Sequence, residues 1–139
     1  MSLYNHTITI FNYDYEEDKF YPTLINNVEC QYYFGIDRLH EYNLSRDRCL
    51  CIIKYKILDG LKISDNKTFL IKDEWVKNTN KDNYFTLQTD KDFFALGDYS
   101  NIQIDNYENF KNEHTHKSFL INEYRDFESV IPHWEIYGG

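Results

Sequence analysis

Three stretches of this 139-residue chain alternate apolar with other side chains at a period of two, and that period commits them to β-strands with one buried face. Thr7-Ile8-Thr9-Ile10 places Ile8 and Ile10 together on a strand running to about Tyr13. Val28, Cys30, Tyr32 and Phe34 repeat the pattern. Cys49, Cys51, Ile53, Tyr55 and Ile57 form the strongest core strand, ending near Asp59-Gly60. Between the first two runs, Phe20-Tyr21-Pro22-Thr23-Leu24-Ile25 is extended and Asn26-Asn27 is a turn signal.

Later segments continue the theme more weakly. Residues 84–88 and 93–96 read as strands on either side of a turn at 89–92. The C-terminal part reads as two strands around a turn at 124–128, one over 118–123 and one through Ser129-Val130-Ile131 and Trp134-Glu135-Ile136-Tyr137. Residues 69–76 fit a strand, or a strand followed by a short helical turn. Tyr107 and Phe110, three apart, suit a short helix with Asp105 as N-cap. Thirteen Tyr and ten Phe against one Met and one Ala favour pleated, half-buried surfaces over helices. The expectation is an all-β chain with at most one short helix, its seven or so short strands forming a small barrel or sandwich. The length supports one hydrophobic core, so residues 1–139 are read as a single β domain with long loops near 35–48 and 77–83.

The net charge of −8 argues against a duplex-binding protein, because phosphate contacts need a surplus of Lys and Arg. It is compatible with DNA passing close by, since an acidic wall repels a polyanion within a Debye length of ~8 Å. No apolar run approaches the ~18 residues that span a bilayer. An odd number of cysteines and the absence of signal-peptide features at the start lead to the expectation of a reducing cytosol.

Candidate chemistry is sparse. Cys49 and Cys51 share one strand face, which is half of a metal site, but a zinc site would also need Cys30 and a histidine to converge, so all three are read as core cysteines. Glu113-His114-Thr115-His116 contains a His-x-His pair in a polar stretch beside a predicted helix end, where exposed histidines are expected. No Gly-x-Ser-x-Gly is present, and five glycines at 35, 60, 97, 138 and 139 cannot build a phosphate cradle. Tyr32-Tyr33-Phe34 could stack on sugars or bases, although such aromatics are more often core or interface residues. No catalytic residue, metal ligand or cofactor is assigned.

Thr7-Ile8-Thr9-Ile10-Phe11-Asn12, followed by Phe20-Tyr21-Pro22-Thr23 and Val28, resembles the opening of a family of small proteins from the head-to-tail connector region of tailed phages of Gram-positive hosts. Trp75, Tyr84-Phe85-Thr86-Leu87-Gln88, Gly97-Asp98 and the closing Pro132-His133-Trp134-Glu135-Ile136-Tyr137-Gly138-Gly139 resemble later motifs of that family. Its Arg-rich, Gly-containing turn is replaced here by Arg125-Asp126-Phe127-Glu128-Ser129. The resemblance implies a non-catalytic virion protein assembled in the host cytoplasm. Such a protein forms a homo-oligomeric head-closure (stopper) ring between a portal or adaptor and a tail-terminator or tail-tube protein, close to packaged DNA. Lateral interfaces would use aromatics, and 35–48 or 77–83 would face the channel. An adaptor or tail terminator is the near alternative. A carbohydrate-binding β module, or a zinc enzyme built on Cys49, Cys51 and His114 or His116, are the readings from other classes.

Overall fold

The computed structural model of the protein describes residues 5–33, 47–104, 106–114 and 117–139. In chain order the described elements are β1 (His6–Asp14), β2 (Lys19–Tyr33), β3 (Arg48–Lys54), β4 (Lys56–Leu58), β5 (Leu61–Ser64), β6 (Lys67–Phe69), α1 (Lys72–Lys77), β7 (Tyr84–Phe85), β8 (Phe93–Leu96), α2 (Tyr107–Glu113), β9 (Ser118–Phe127) and β10 (His133–Gly138). Six strands close into an antiparallel barrel in the order β1-β2-β3-β10-β9-β8, with β8 returning to β1. The other four form a small sheet, β4-β5-β6-β7. The chain is mainly β, as the alternation predicts, and a closed barrel leaves its six strands without an edge.

The period of two explains the barrel interior. Ile8 and Ile10 from β1, Ile25, Val28 and Cys30 from β2, Cys49, Cys51 and Ile53 from β3, Phe94, Phe119 and Ile121 from β8 and β9, and Trp134 and Ile136 from β10 form one buried cluster. Gly138 continues the inward face of β10 where no side chain fits, because a Cβ there would lie 2.6 Å from Phe119 Cβ and 2.7 Å from a ring carbon of Phe94. Outside the barrel, Phe11, Phe93 and Ala95 take the opposite parity and are covered by Phe110 of α2. The Phe11 and Phe93 rings stack at 4.7 Å.

Several boundaries differ from the sequence expectation. Asn26-Asn27 is a bulge and not a turn: β2 runs unbroken for 15 residues, Asn27 has φ 60°, and the β1 register slips between His6 and Ile8. The bulge bends β2 so that one part pairs with β1 and the other with β3, turning a barrel corner. The run expected to continue to Ile57 breaks at Tyr55, whose N–H bonds the Pro132 carbonyl at 3.1 Å. Beyond it the chain leaves the barrel and makes two hairpins, turning at Asp59-Gly60 and at Asp65-Asn66. All four turn residues have positive φ, as two-residue hairpin turns demand. These hairpins raise the strand count above seven.

Residues 69–76 take the strand-plus-helix alternative, giving a second short helix. Pairing in 84–88 stops at Phe85, because Thr86 is held by the Asn12 side chain instead of a neighbouring strand. Asn106 caps α2, accepting from Asn109 N–H at 2.8 Å; the expected cap Asp105 lies outside the described residues. β9 is continuous to Phe127, so the C-terminal turn falls at 128–132 and Ser129-Val130-Ile131 is not a strand. Of the two long loops, 78–83 is a loop, and all of 35–48 but its last two residues lies outside the described residues.

Candidate functional site

One end of the barrel is plugged. Phe85, Leu87 and Tyr55 join the barrel cluster with Phe69 packed on it, and Trp134 is ringed by Tyr55 at 4.3 Å, Phe69 at 5.2 Å and Phe85 at 5.5 Å. A buried polar clasp secures the plug. Asn12 donates to the Thr86 carbonyl at 2.6 Å and accepts from Thr86 N–H at 3.1 Å, reproducing with a side chain the bonds of a strand pair. Asn12 also donates to Asp92 at 2.8 Å, and Asp92 accepts from Lys72 at 2.9 Å. Burial pushes the Asp92 carboxyl up and the Lys72 amine down, so each needs the other. A second ammonium, Lys81, reaches Asp14 at 3.3 Å and lies over the Tyr21 and Trp75 rings. Burial alone would raise Asp14, but backbone N–H donation from Glu16 and Glu17, together with Lys81, brings it below its usual value. The hydrogen bonds of the clasp run among its own members, and the buried Thr86 hydroxyl is left without a partner.

The opposite situation holds at two hairpin tips. Ile57, Leu58 and Leu61, around the β4–β5 turn, and Phe127, Val130 and Ile131, at the β9–β10 turn, are all exposed large hydrophobics. The Tyr55–Pro132 backbone bond and ion pairs of Lys62 with Asp126 and Glu128 tie the two tips together into an apolar ridge with side chains on both faces, Ile57 sharing one face with Lys62 and Leu58 sharing the other with Leu61. Tyr55 also donates its hydroxyl to Asp126. Val130 is the extreme member: it is 98% exposed and has φ 62°, a left-handed conformation that a β-branched residue adopts only under strain. Strain and an apolar side chain turned fully to water both cost free energy in the monomer. β4, on the same ridge, is also one of the two outer strands of the small sheet.

All three cysteines converge. Cys30 on β2 and Cys51 on β3 are register partners with sulfurs 3.1 Å apart, and Cys49 Sγ is 3.7 Å from Cys51 Sγ. The three sulfurs lie within 4.8 Å of one another, and all three residues are buried. Hydrogen bonding from Cys49 and Cys51 pushes the Cys30 thiol down, while burial pushes Cys51 up. The Cys30 N–H donates to His6 Nδ1 at 3.3 Å. Cys49 also lines an open cleft of about 440 Å³ with Gln31, Tyr33, Arg48, Asn122 and Tyr137.

The sequence candidates thus separate. Cys49 and Cys51 do gain Cys30, the convergence regarded as a coincidence. It could not be foreseen, because the β2–β3 register depends on tertiary pairing across residues 34–46. No histidine joins the sulfur group among the described residues. His114 caps α2 and packs half-buried against Phe110 at 4.4 Å and Tyr99 at 4.8 Å, where an exposed residue was expected; His116 lies outside the described residues. Tyr32 and Tyr33 are exposed, and Phe34 is outside the described residues. The ridge residues went unnoticed as a group, although Ile-Leu-Asp-Gly-Leu and Val-Ile-Pro are the apolar hairpin tips that the turn chemistry at Asp59-Gly60 could have revealed.

The chain belongs to a family of unknown function (DUF6751), whose model matches residues 3–139. No curated protein and no solved structure shows a significant match. Among the described residues, no helix is long and apolar enough to cross a membrane.

Proposed function

We propose that this DUF6751 member is a structural subunit of a homo-oligomeric ring, and that the ring is the head-closure tier of a phage head-to-tail connector. The observation that carries the assembly is the strained, apolar ridge at the β4–β5 and β9–β10 tips: a monomer gains nothing from exposing Val130, Ile131, Ile57 and Leu58 together. A ring needs two different complementary faces on each copy, because a self-complementary face gives a closed dimer. Lys54, Lys56 and Lys67 lie on β3, β4 and β6. Asp14, Glu16, Glu17 and Asp18 form the β1–β2 turn, which meets α1 through the Tyr15–Asp73 bond and, through Asp14, the loop before β7. β4 and β7 are the two outer strands of the small sheet.

The phage assignment rests on the motif resemblance, with the −8 net charge in support. An acidic lumen passes DNA without holding it. Portal or adaptor above and tail protein below are the partners this reading requires, and an adaptor or tail terminator would use the same ridge. Two experiments test it. Analytical ultracentrifugation of the purified chain, alone and with portal-containing heads, reads assembly; negative-stain images of the heads then look for a ring at the portal vertex. A ring bound at the vertex is expected. A monomer that binds no head and forms no ring with a connector partner overturns the reading.

A further inference from the structure

Every sulfur of the cysteine set sits in one place. The chain has three cysteines among 139 residues, they come from two strands and two inward positions of β3, and their sulfurs lie within 4.8 Å of one another. Packing does not ask for this. The rest of the barrel interior is filled by Ile, Val, Phe and Trp, any of which fills space without placing three thiols in contact. A disulfide does not ask for it either. The Cys30–Cys51 pair could form one, but Cys49 would then have no reason to lie 3.7 Å from Cys51.

A metal ion accounts for all three. With Zn–S bonds of ~2.3 Å, tetrahedral geometry puts thiolate sulfurs ~3.8 Å apart, and the spacings here are 3.1 and 3.7 Å with the third inside 4.8 Å. The ligands are carried on paired strands of a closed barrel, which holds sulfur positions better than a loop does. Access exists as well, since Cys49 lines the open cleft between the strand ends of β2, β3, β9 and β10. Arg48, in that cleft, offers positive charge next to a centre that three thiolates and one divalent ion would leave at net −1.

We infer that Cys30, Cys49 and Cys51 form a binding site for a single thiophilic d10 cation, Zn2+ above all, with its fourth position open on the side of the Cys49 cleft. The ion staples β2 to β3 where residues 34–46 connect them, and its open position accepts water or a small ligand donor from the cleft. The site is independent of the ridge, and therefore of the ring.

The test is titration of the reduced, anaerobic full-length chain with Cd2+ alone, followed by sulfur-to-cadmium charge-transfer absorption, and with Zn2+ alone by calorimetry. One ion per chain with three thiolates consumed is expected. Each of Cys30→Ala, Cys49→Ala and Cys51→Ala should weaken uptake by ~100-fold or more. Far-ultraviolet circular dichroism checks that each variant is folded, and Cys49→Ala, at the cleft edge, is the variant best placed to remain so. Thermal unfolding should move upward with Zn2+ and return on chelation. No charge-transfer band in the folded, reduced protein, or equal uptake by the triple alanine variant, overturns the site.

Discussion

Ile53 and Ile57 lie four residues apart on one run of alternating sequence, yet Ile53 is fully buried in the barrel and Ile57 is 48% exposed on the ridge. The difference is made at Tyr55, where the chain exchanges barrel pairing for a single bond to Pro132 and passes into the small sheet. Identical side-chain chemistry therefore serves opposite ends. Inside the barrel, apolar burial of ~1.5–3 kcal/mol per large side chain holds the monomer together. On the ridge, the same residue types contribute little to the monomer and remain available to another surface. On the proposed assembly, stability and assembly fall to different regions, and substitutions should separate them.

The barrel side should give the largest losses. Trp134 is fully buried among three aromatic rings, so Trp134→Ala leaves a cavity that the plug cannot fill, and a loss of about 3–5 kcal/mol is expected in urea unfolding. A loss under ~1 kcal/mol would mean that the plug does not seal the barrel. Asp92→Ala comes next. It leaves the buried Lys72 ammonium without its counter-charge, with only the Tyr13 carbonyl as acceptor, and takes the acceptor from the Tyr13 N–H, while Asn12 keeps the Thr86 carbonyl; about 3 kcal/mol is expected. Replacing Asp92 and Lys72 together by apolar residues should cost much less than the single change, which a double-mutant cycle measures. Gly138→Ala should lose about 1–3 kcal/mol by overpacking against Phe119 and Phe94.

The reach of sequence reasoning follows the same division. Barrel strands were legible because one face is uniformly buried, so the period of two survives in Ile8-Ile10, Cys49-Cys51-Ile53 and Trp134-Ile136. The clasp was not. Lys72 sits in the charged triplet of a stretch that reads as a strand or a strand plus a helical turn, and Asp92 in a turn; their burial follows from the fold bringing β1, α1 and the segment before β8 together. Asn26-Asn27 carried the signal of a turn, but a bulge uses the same left-handed tolerance without reversing the chain. The three thiols illustrate the limit most clearly: their strand parity was readable, but the pairing of Cys30 with Cys51 required the β2–β3 register.

A smaller effect should appear where the two regions join. Burial first, and then the bond to Asp126, raise the Tyr55 hydroxyl to about 12 from its ordinary 10.0. The folded chain therefore keeps a proton that the unfolded chain gives up. The stability this contributes is complete below pH 10 and is lost as pH rises through about 12. Urea unfolding at a series of alkaline pH values should show the decline, and Tyr55→Phe should flatten part of it; the part that persists is shared by Tyr21, which burial also raises to about 12, and by the other groups held above their ordinary values, Lys62, Tyr107 and Tyr124 among them. Equal slopes in wild type and variant would remove Tyr55 from the account.

The ridge should respond least in stability and most in assembly. Val130 has φ 62° and is almost wholly exposed, so replacing it removes no packing from the monomer. Asparagine tolerates the left-handed region better than a β-branched residue does, and Val130→Asn should leave stability unchanged or raise it by up to about 1 kcal/mol. If the ridge is the interface, the same change, or Ile131→Asp with a stability change within about 0.5 kcal/mol, should abolish the higher-order species in ultracentrifugation. That opposition of signs is what distinguishes the two regions. A substitution in the barrel weakens assembly by unfolding the subunit, so its assembly loss tracks its stability loss, whereas a ridge substitution breaks the correlation. If Val130→Asn assembles normally, the strain at the tip has no role in the ring and the interface lies away from the β9–β10 turn.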